Sequence, residues 1–258
     1  MRQQQGRRHS ARPGRDPAPA APLIHGRNAV LEAARAGKVV KVFQASGLGH
    51  DPRLDELARL AIIEVVAPER LEAIAAGVHQ GVAAELKPRR AWTLKELLAT
   101  SPNLLVALDG IMDPQNLGAI LRSAEVAGAD GAILPEHRSA PLSPSAVKAS
   151  SGASELLRIA HVSGIPSAIA EVKRAGIWCA ALDVRGETWP WDFDLTQPVC
   201  LVVGSEGEGV HRLVRERCDV RLRLPVAGHV ASFNASAAAA ALLYEVQRQR
   251  SGSGRTRP

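Results

Sequence analysis

The feature that most constrains the fold is a series of short apolar segments that alternate with helical segments from residue 103 onward. NLLVALD, GAILP, GIWCAALDV and PVCLVVGSE carry no regular polar alternation, which is typical of strands buried on both faces of a parallel sheet. The sequence therefore predicts an α/β fold. Ligands of such sheets bind at the carboxyl ends of the strands, which directs attention to the loops after Asp109, Val203 and Leu224.

A smaller α/β unit precedes this sheet. Amphipathic segments such as PRLDELARLA, which begins at Pro52, alternate with strand-like segments such as VVKVFQA and GVAAEL. The segment KPRRAWTLKELLATSPN then resembles an interdomain linker. We expect a flexible tail, a small domain, a linker, a larger domain and a second tail, at 1–22, 23–86, 87–102, 103–250 and 251–258.

The net charge of +6 is concentrated in the two tails. Residues 1–22 hold five Arg and one acid, and residues 247–258 hold four Arg and no acid, so residues 23–246 have a net charge of −2. An argument from charge to a nucleic-acid partner would therefore rest on the tails alone. We expect tails of this composition to add sequence-independent attraction to a polyanionic partner.

Cysteine usage and hydropathy bear on the cellular compartment. The three cysteines, Cys179, Cys200 and Cys218, lack metal-ligand or disulfide-framework spacing and suit reduced thiols. No stretch of about 18 apolar residues occurs, and residues 1–22 lack the apolar core of a secretory signal. We expect a soluble cytoplasmic protein without a metal or a membrane partner.

The first segment that could carry chemistry begins at Leu108, in LDGIMDPQNLGAILRSAEVAG. Asp113 is a favourable N-cap and Pro114 a favourable first helical residue, so a helix should begin directly beyond a strand end. The positions expected to share its core-facing stripe are Leu117, Ile120, Leu121 and Ala124.

Arg122 lies about 140° from Leu117 around this helix and therefore cannot belong to the middle of the stripe. A purely structural interpretation makes it a solvated arginine that pairs with Glu125. For Asn116, in the first turn, the structural alternative is hydrogen bonding at the helix terminus.

The second segment, LVVGSEGEGV from Leu201, places three glycines at a strand end, where the backbone can turn sharply and approach a ligand. It does not match a phosphate loop, because G-K-[ST] is absent and Glu206 and Glu208 would repel phosphate. An acidic, glycine-rich loop suits a ligand with cationic character or with hydroxyl donors. The alternative is a plain turn in which a glutamate favours a helix N-terminus.

The third segment, RLRLPVAGHVASFNASAAAAALLYEVQRQR from Arg221, combines a predicted strand end at Leu224 with a helix rich in small residues. Pro225 has no N–H to join a ladder, and Ser232 and Asn234 precede the helix. The small side chains permit close approach to the sheet or to another subunit, or they reflect simple alanine-rich packing.

Other catalytic templates are absent. The eight histidines show no ligand-like pairing, and neither G-x-S-x-G nor G-x-G-x-x-G after a strand is present. Hydrolase, metalloenzyme and Rossmann dehydrogenase functions are therefore disfavoured.

Taken in order, NLGAILRSA, GSEGEG and LPVAGHVASFNAS resemble the three signature motifs of the SPOUT-class RNA ribose 2′-O-methyltransferases of the TrmH/RlmB type. The resemblance covers essentially residues 23–250, because IHGRNAVLEA, VVKVF and HQGVAAEL are similar to the small ribosomal protein L30e-like RNA-binding domain of the RlmB branch. Phe233 departs from the family, which commonly has Leu there.

This resemblance implies a C-terminal trefoil knot that binds S-adenosylmethionine, with Gly204, Leu224 and Phe233 at the cofactor, and a homodimer formed through the knot region. It places Arg122 at the target hydroxyl. Because arginine is protonated in almost every protein, we favour phosphate binding and hydroxyl orientation over a role as base. The resemblance also implies that Asn116, Ser232 and Asn234 form hydrogen bonds with the ribose and the cofactor. Glu206 would either fix the second-motif loop or meet the positive charge of the cofactor.

The expected function is S-adenosylmethionine-dependent 2′-O-methylation of a guanosine in 23S ribosomal RNA. The alternatives are a tRNA ribose methyltransferase, an rRNA antibiotic-resistance methyltransferase, and a non-catalytic RNA-binding protein of ribosome assembly. Retention of Asn116, Arg122, Glu206, Ser232 and Asn234 argues against the last of these.

Overall fold

The computed structural model describes residues 23–75, 78–87, 90–229 and 232–252. The predicted tail at 1–22 lies outside the described residues, and so does the tail predicted at 251–258 apart from residues 251–252, which are helical rather than flexible. Within the described residues, no helix is both long and apolar enough to cross a membrane.

The strands form two sheets. Their bounds are β1 Leu23–His25, β2 Val39–Ala45, β3 Ile63–Val66, β4 Val82–Leu86, β5 Leu104–Asp109, β6 Gly131–Pro135, β7 Arg158–Val162, β8 Trp178–Leu182, β9 Val199–Gly204 and β10 Val220–Leu222.

Ten α-helices occur in the described ranges, together with a short 3₁₀ turn at Pro190–Asp192. The helices are α1 Arg27–Arg35, α2 Pro52–Leu60, α3 Pro68–Ile74, α4 Leu94–Leu98, α5 Pro114–Val126, α6 Pro144–Ala149, α7 Ala153–Leu156, α8 Ile165–Arg174, α9 Arg212–Arg217 and α10 Ala235–Gly252.

The larger sheet has the order β10-β8-β9-β5-β6-β7, and its pairs are all parallel. Separate apolar clusters cover its two faces, one including α5 and α10 and the other including α8 and α9. Every residue of β5 and β9 is buried. This confirms the predicted α/β fold with a parallel sheet, because strands without polar alternation require cover on both faces.

The smaller sheet has the order β1-β4-β2-β3 and is mixed. Its strand β4 runs antiparallel to both β1 and β2, whereas β2 and β3 are parallel. The predicted alternation of strands and helices is present, and Val30, Leu57 and Val82 form part of its core.

Two details differ from the sequence-based expectation. Strand β10 ends at Leu222 rather than at Leu224, because its partner strand β8 ends at the facing Leu182 and the next N–H, of Arg223, donates to the carbonyl of Thr188 outside the strands. Between β6 and β8 the structure adds β7 and α6 to α8, which were not predicted.

The three cysteines are free thiols on neighbouring elements of the larger sheet. Cys179 of β8 stands opposite Cys200 of β9 in the register. Burial, reinforced by the nearby Cys179, raises the pKa of the half-buried Cys218 thiol to about 12. This thiol is therefore almost entirely protonated at neutral pH.

Candidate active site

Loops from the carboxyl ends of β5, β6 and β9 meet the start of α10 at one edge of the larger sheet. Together they line an open cleft of about 470 Å³. The lining residues are Gly110, Ile111, Met112, Asp113, Asn116, Arg138, Ser205, Glu206, Glu208, His211 and Ala235. The cleft lies where ligands of parallel sheets bind.

The first motif forms one wall of the cleft. Asp113 caps α5, its carboxylate accepting hydrogen bonds from the backbone N–H groups of Gln115 (3.1 Å) and Asn116 (3.2 Å), and Pro114 is the first helical residue, as predicted. The helix is anchored by its predicted stripe, whose members Leu117, Ile120, Leu121 and Ala124 are fully buried. This start point holds Asn116 in the first turn of a fixed helix, where it is only 9% exposed.

The glycines of the second motif close a tight loop. Gly204 ends β9 opposite Asp109, and a Cβ built on Gly204 would lie 2.0 Å from the carbonyl carbon of Gly209. Ser205 and Gly209 exchange two backbone hydrogen bonds of 3.2 and 3.0 Å, and Gly209 adopts a φ of +68°. Only glycine permits such a backbone approach together with this turn, which carries Glu206 to the cleft.

The third motif completes the cluster through Asn234. Its Oδ1 accepts the N–H groups of Ser236 (2.9 Å) and Ala237 (3.2 Å), which caps the start of α10. Its Nδ2 donates to Oδ1 of Asn116 at 3.0 Å and also to Oε1 of Glu206. The cap thus fixes the side chain and leaves its amide group to hold the other two motifs.

Asn116, Glu206 and Asn234 form a closed triangle of hydrogen bonds, because Nδ2 of Asn116 also donates to Oε1 of Glu206 at 2.9 Å. These residues come from three motifs that are 90 and 28 positions apart in sequence. Two neutral amides and one carboxylate offer hydrogen-bond partners for hydroxyls and a negative charge for a cation, without a strongly basic surface. A role at the helix terminus does not explain the side-chain hydrogen bonds of Asn116 to Glu206 and Asn234, and a plain turn does not explain those of Glu206.

The other predicted site residues lie outside this triangle. Arg122 is exposed on α5, six positions beyond Asn116, and forms no hydrogen bond or ion pair with another described residue, so the pairing with Glu125 is absent. Ser232 is exposed, Phe233 is 50% exposed, and Leu224 is half-buried. Gly204 is buried at the base of the loop.

Sequence reasoning missed a buried carboxylate and a histidine at the same cleft. Asp109 is 6% exposed, and its Oδ2 accepts the backbone N–H of His211 at 2.7 Å and lies 3.0 Å from Nδ1 of the same residue. The position of Asp109 as the last residue of a buried strand was the available signal. Nothing local in the sequence indicated its partner, which is 102 residues away. No group of three or more metal-ligating side chains occurs among the described residues.

Two family models match the chain. The model of the SpoU rRNA Methylase family matches residues 103–244, and a model described as RNA 2′-O ribose methyltransferase substrate binding matches residues 23–92. The first match contains all three motifs of the cleft.

Similar proteins of known name support these matches. The 23S rRNA (guanosine-2′-O-)-methyltransferase RlmB of Pseudomonas aeruginosa is 40% identical over 223 residues, which are 83% of this chain and 90% of that protein. The protein of the same name from Pseudomonas syringae pv. tomato is 39% identical over 224 residues, 83% of this chain and 89% of its own.

Solved structures show the same fold. The SpoU methyltransferase AviRb from Streptomyces viridochromogenes, in complex with the cofactor AdoMet, superposes with a TM-score of 0.75 at 29% identity and covers 90% of this chain and 91% of its own. The A. aeolicus TrmH/SpoU tRNA modifying enzyme gives a TM-score of 0.55 at 28% identity and covers 62% of this chain and 84% of its own. With its motifs, its fold and two family models in agreement, the chain belongs to the SpoU rRNA methylase family.

Proposed function

We propose that this protein transfers a methyl group from S-adenosylmethionine to the ribose 2′-hydroxyl of a guanosine in 23S ribosomal RNA. The observation that carries the proposal is the hydrogen-bonded triangle of Asn116, Glu206 and Asn234 at the carboxyl edge of the parallel sheet. The two relatives named RlmB are 39% and 40% identical to this chain over 83% of its length. Their names support a guanosine in 23S rRNA as the target nucleotide.

The chemistry of the cleft fits S-adenosylmethionine. The sulfonium of this cofactor is a cation, and Glu206 and Glu208 place carboxylates at the cleft without a phosphate-binding lysine among its lining residues. When bound, the cofactor supplies an electrophilic methyl group. Backbone groups at Gly204, Leu224 and Phe233 would hold it, and Gly204 lies at the base of the loop that carries Glu206 to the cleft.

Methyl transfer requires in-line alignment of the hydroxyl oxygen with the methyl group. Alignment of this kind lowers the barrier by several kcal/mol, about 7–11 at most. Asn116 and Asn234 orient the ribose by hydrogen bonds, and Ser232 adds a hydroxyl from the third motif. Their amides are held by Glu206 before substrate arrives, so little reorganisation is needed when the RNA binds.

Arg122 acts as an anchor for RNA phosphate. The side chain is exposed and makes no ion pair with the described residues, so its five N–H donors are available to a phosphate next to the target ribose. A guanidinium is protonated at working pH, which suits charge pairing and orientation of the hydroxyl.

The finer architecture is also part of the proposal. Strand β10 lies at the edge of the larger sheet, and α10 packs against α5 on one face of it. This arrangement supports a trefoil knot formed by the second and third motifs. The domains are proposed at 23–86 and 103–250, joined by a linker at 87–102. The first of these would be an L30e-like RNA-binding domain, as the substrate-binding family model at 23–92 supports.

A homodimer through the knot region is supported by the surface of the packed helices α5 and α10. Val126 at the end of α5 is 77% exposed, and Tyr244 of α10 is 72% exposed. Burial of such side chains against a second copy would remove apolar surface from water. The proposed substrate places the reaction in the cytoplasm.

Transfer-RNA ribose methylation is the second candidate, and the A. aeolicus tRNA modifying enzyme favours it. That neighbour covers 62% of this chain, whereas the two RlmB relatives each cover 83%, so rRNA is the better supported substrate.

The choice between rRNA and tRNA as substrate can be tested in a strain that lacks the gene. Primer extension would map ribose methylation in the RNA of that strain. We expect loss of one guanosine 2′-O-methyl group in 23S rRNA and its return when the gene is restored. Unchanged rRNA with an altered tRNA would overturn the rRNA proposal in favour of the second candidate.

A further inference from the structure

His211 is a titratable side chain of the cleft to which the three motifs assign no role. It lines the same cleft as Asn116 and Glu206, and its side chain is 46% exposed. It also precedes the first residue of α9, so its backbone position is fixed between the second-motif loop and a helix.

Asp109 holds the imidazole ring in one orientation. The buried carboxylate Oδ2 accepts the backbone N–H of His211 at 2.7 Å and lies 3.0 Å from its Nδ1. A carboxylate beside Nδ1 favours the tautomer with the proton on Nδ1, which leaves the Nε2 lone pair free to accept a proton.

The backbone beside Asp109 is shaped to admit the ring. Gly110 has a φ of +79°, and a Cβ at this position would lie 3.1 Å from Cε1 of His211. A side chain at position 110 would therefore be strained and would also press on the imidazole. The local backbone thus keeps the histidine against the cleft.

A ribose hydroxyl is a very weak acid, and its attack on the methyl group requires an acceptor for its proton. Arg122 is a poor acceptor because guanidinium groups remain protonated. The carboxylate of Glu206 already accepts two amide hydrogen bonds at one oxygen. Among the side chains that line the cleft, neutral imidazole is the group best matched to proton transfer near neutral pH.

We infer that His211 is the general base of the methyl transfer, oriented by Asp109 as a positioning residue. This inference rests on the proposed function. The proton of the ribose 2′-hydroxyl passes to Nε2 of His211 as the ribose oxygen forms its bond to the methyl carbon. The carbon–sulfur bond breaks and its electron pair stays on sulfur, which converts the sulfonium to a neutral thioether. The imidazolium then releases its proton to water.

The charges around the ring are consistent with this role. Asp109 at the end of β5 contacts the ring, and Asp113 before α5 and Glu206 and Glu208 of the second-motif loop line the same cleft as His211. Oε2 of Glu208 lies 4.0 Å from Nε2. Arg138, from the loop after β6, is the cation among the cleft-lining residues, and the carboxylates together stabilise the imidazolium that forms.

The test measures single-turnover methylation of unmodified 23S rRNA at saturating S-adenosylmethionine between about pH 5.5 and 9. The wild-type rate should rise with pH through the loss of a single proton, as expected for catalysis by one general base. His211→Gln and His211→Ala should lower the plateau rate about 10²–10⁴-fold and remove that rise. Added imidazole should restore part of the His211→Ala rate.

Asp109→Asn tests the orienting carboxylate, because the amide Oδ1 can still accept the backbone N–H of His211 but no longer places a negative charge beside Nδ1. The rate should fall while calorimetric affinity for S-adenosylmethionine and the thermal midpoint stay near wild type. His50→Ala is the matched control, because His50 also lies beside an aspartate, 3.6 Å from Asp55, but is 80% exposed and is not among the residues that line the cleft.

A His211→Gln protein with the wild-type rate and pH profile would overturn the inference and leave the proposed function standing. Loss of rate together with loss of cofactor affinity or thermal stability would show a structural role and also overturn it. A wild-type protein that methylates no RNA would instead refute the proposed function, and with it this inference.

Discussion

Replacement of Gly204 by alanine is the sharpest test of how the second-motif loop is built. The new Cβ would lie 2.0 Å from the carbonyl carbon of Gly209 and 2.1 Å from the backbone nitrogen of Val210. Non-bonded carbon contacts are about 3.5–4.0 Å, so the loop must retreat by roughly 1 Å or more. All the close atoms are backbone atoms, so no side-chain rotation can relieve the clash.

The consequences follow from what the loop carries. Retreat would strain the two backbone hydrogen bonds between Ser205 and Gly209 and displace Glu206 from the amides of Asn116 and Asn234. Overpacking of this kind costs about 1–3 kcal/mol in stability. A displacement of about 1 Å in a positioned group can lower the rate about 10²-fold.

The assays are calorimetric titration with S-adenosylmethionine, thermal unfolding and single-turnover methylation. Gly164→Ala is the matched control, because Gly164 lies in the same sheet domain, has a φ of −168° and would place its Cβ no closer than 3.8 Å to a neighbour. We expect Gly164→Ala to resemble wild type and Gly204→Ala to lose cofactor affinity and activity. A Gly204→Ala protein with wild-type affinity and rate would refute the proposed role of this backbone approach.

Three further predictions follow from particular side chains. Arg122→Ala should lower methylation about 10²-fold or more while changing the Kd for S-adenosylmethionine less than about twofold, as measured by tritium transfer and calorimetry; an active variant would exclude the anchor role. Hydrogen bonds from Arg53, and then from Arg27, hold the pKa of Asp51 well below its ordinary value, so this carboxylate stabilises the fold above about pH 4 and the benefit is lost as pH falls further. The loss of urea midpoint caused by Asp51→Asn should therefore shrink below about pH 4, and a pH-independent difference would contradict this assignment. Cys218, with its pKa raised to about 12 by burial, should react with iodoacetamide far more slowly in the native protein than in urea at pH 8; equal rates would show that the thiol is open to solvent.

Local sequence patterns predicted much of the fold because the relevant forces are local. The capping preference of Asp113 and the fixed φ of Pro114 define where α5 begins, and the spacing of Leu117, Ile120 and Leu121 defines the buried face. The same spacing placed Arg122 off that face, and the structure exposes it.

The candidate site was predicted less completely because it depends on which strands are neighbours. The triangle forms because β9 pairs with β5, which sets Gly204 opposite Asp109, and because α10 packs on α5. Periodicity contains no information on strand order. Asp109 and His211, 102 residues apart, were missed for this reason. The mixed order of the smaller sheet was not predictable from its strand segments either, since similar residues suit parallel and antiparallel pairs.

Methylation of defined RNAs by the purified full chain tests the central claim most directly. The protein would be incubated with labelled S-adenosylmethionine and either unmodified 23S rRNA or total tRNA, and the product located by nuclease digestion and mass spectrometry. We predict one 2′-O-methylguanosine in 23S rRNA, none in tRNA, and transfer to rRNA lowered about 10²-fold or more in the Arg122→Ala protein. Label in tRNA alone, on a base rather than on a ribose, or in neither RNA would contradict the account.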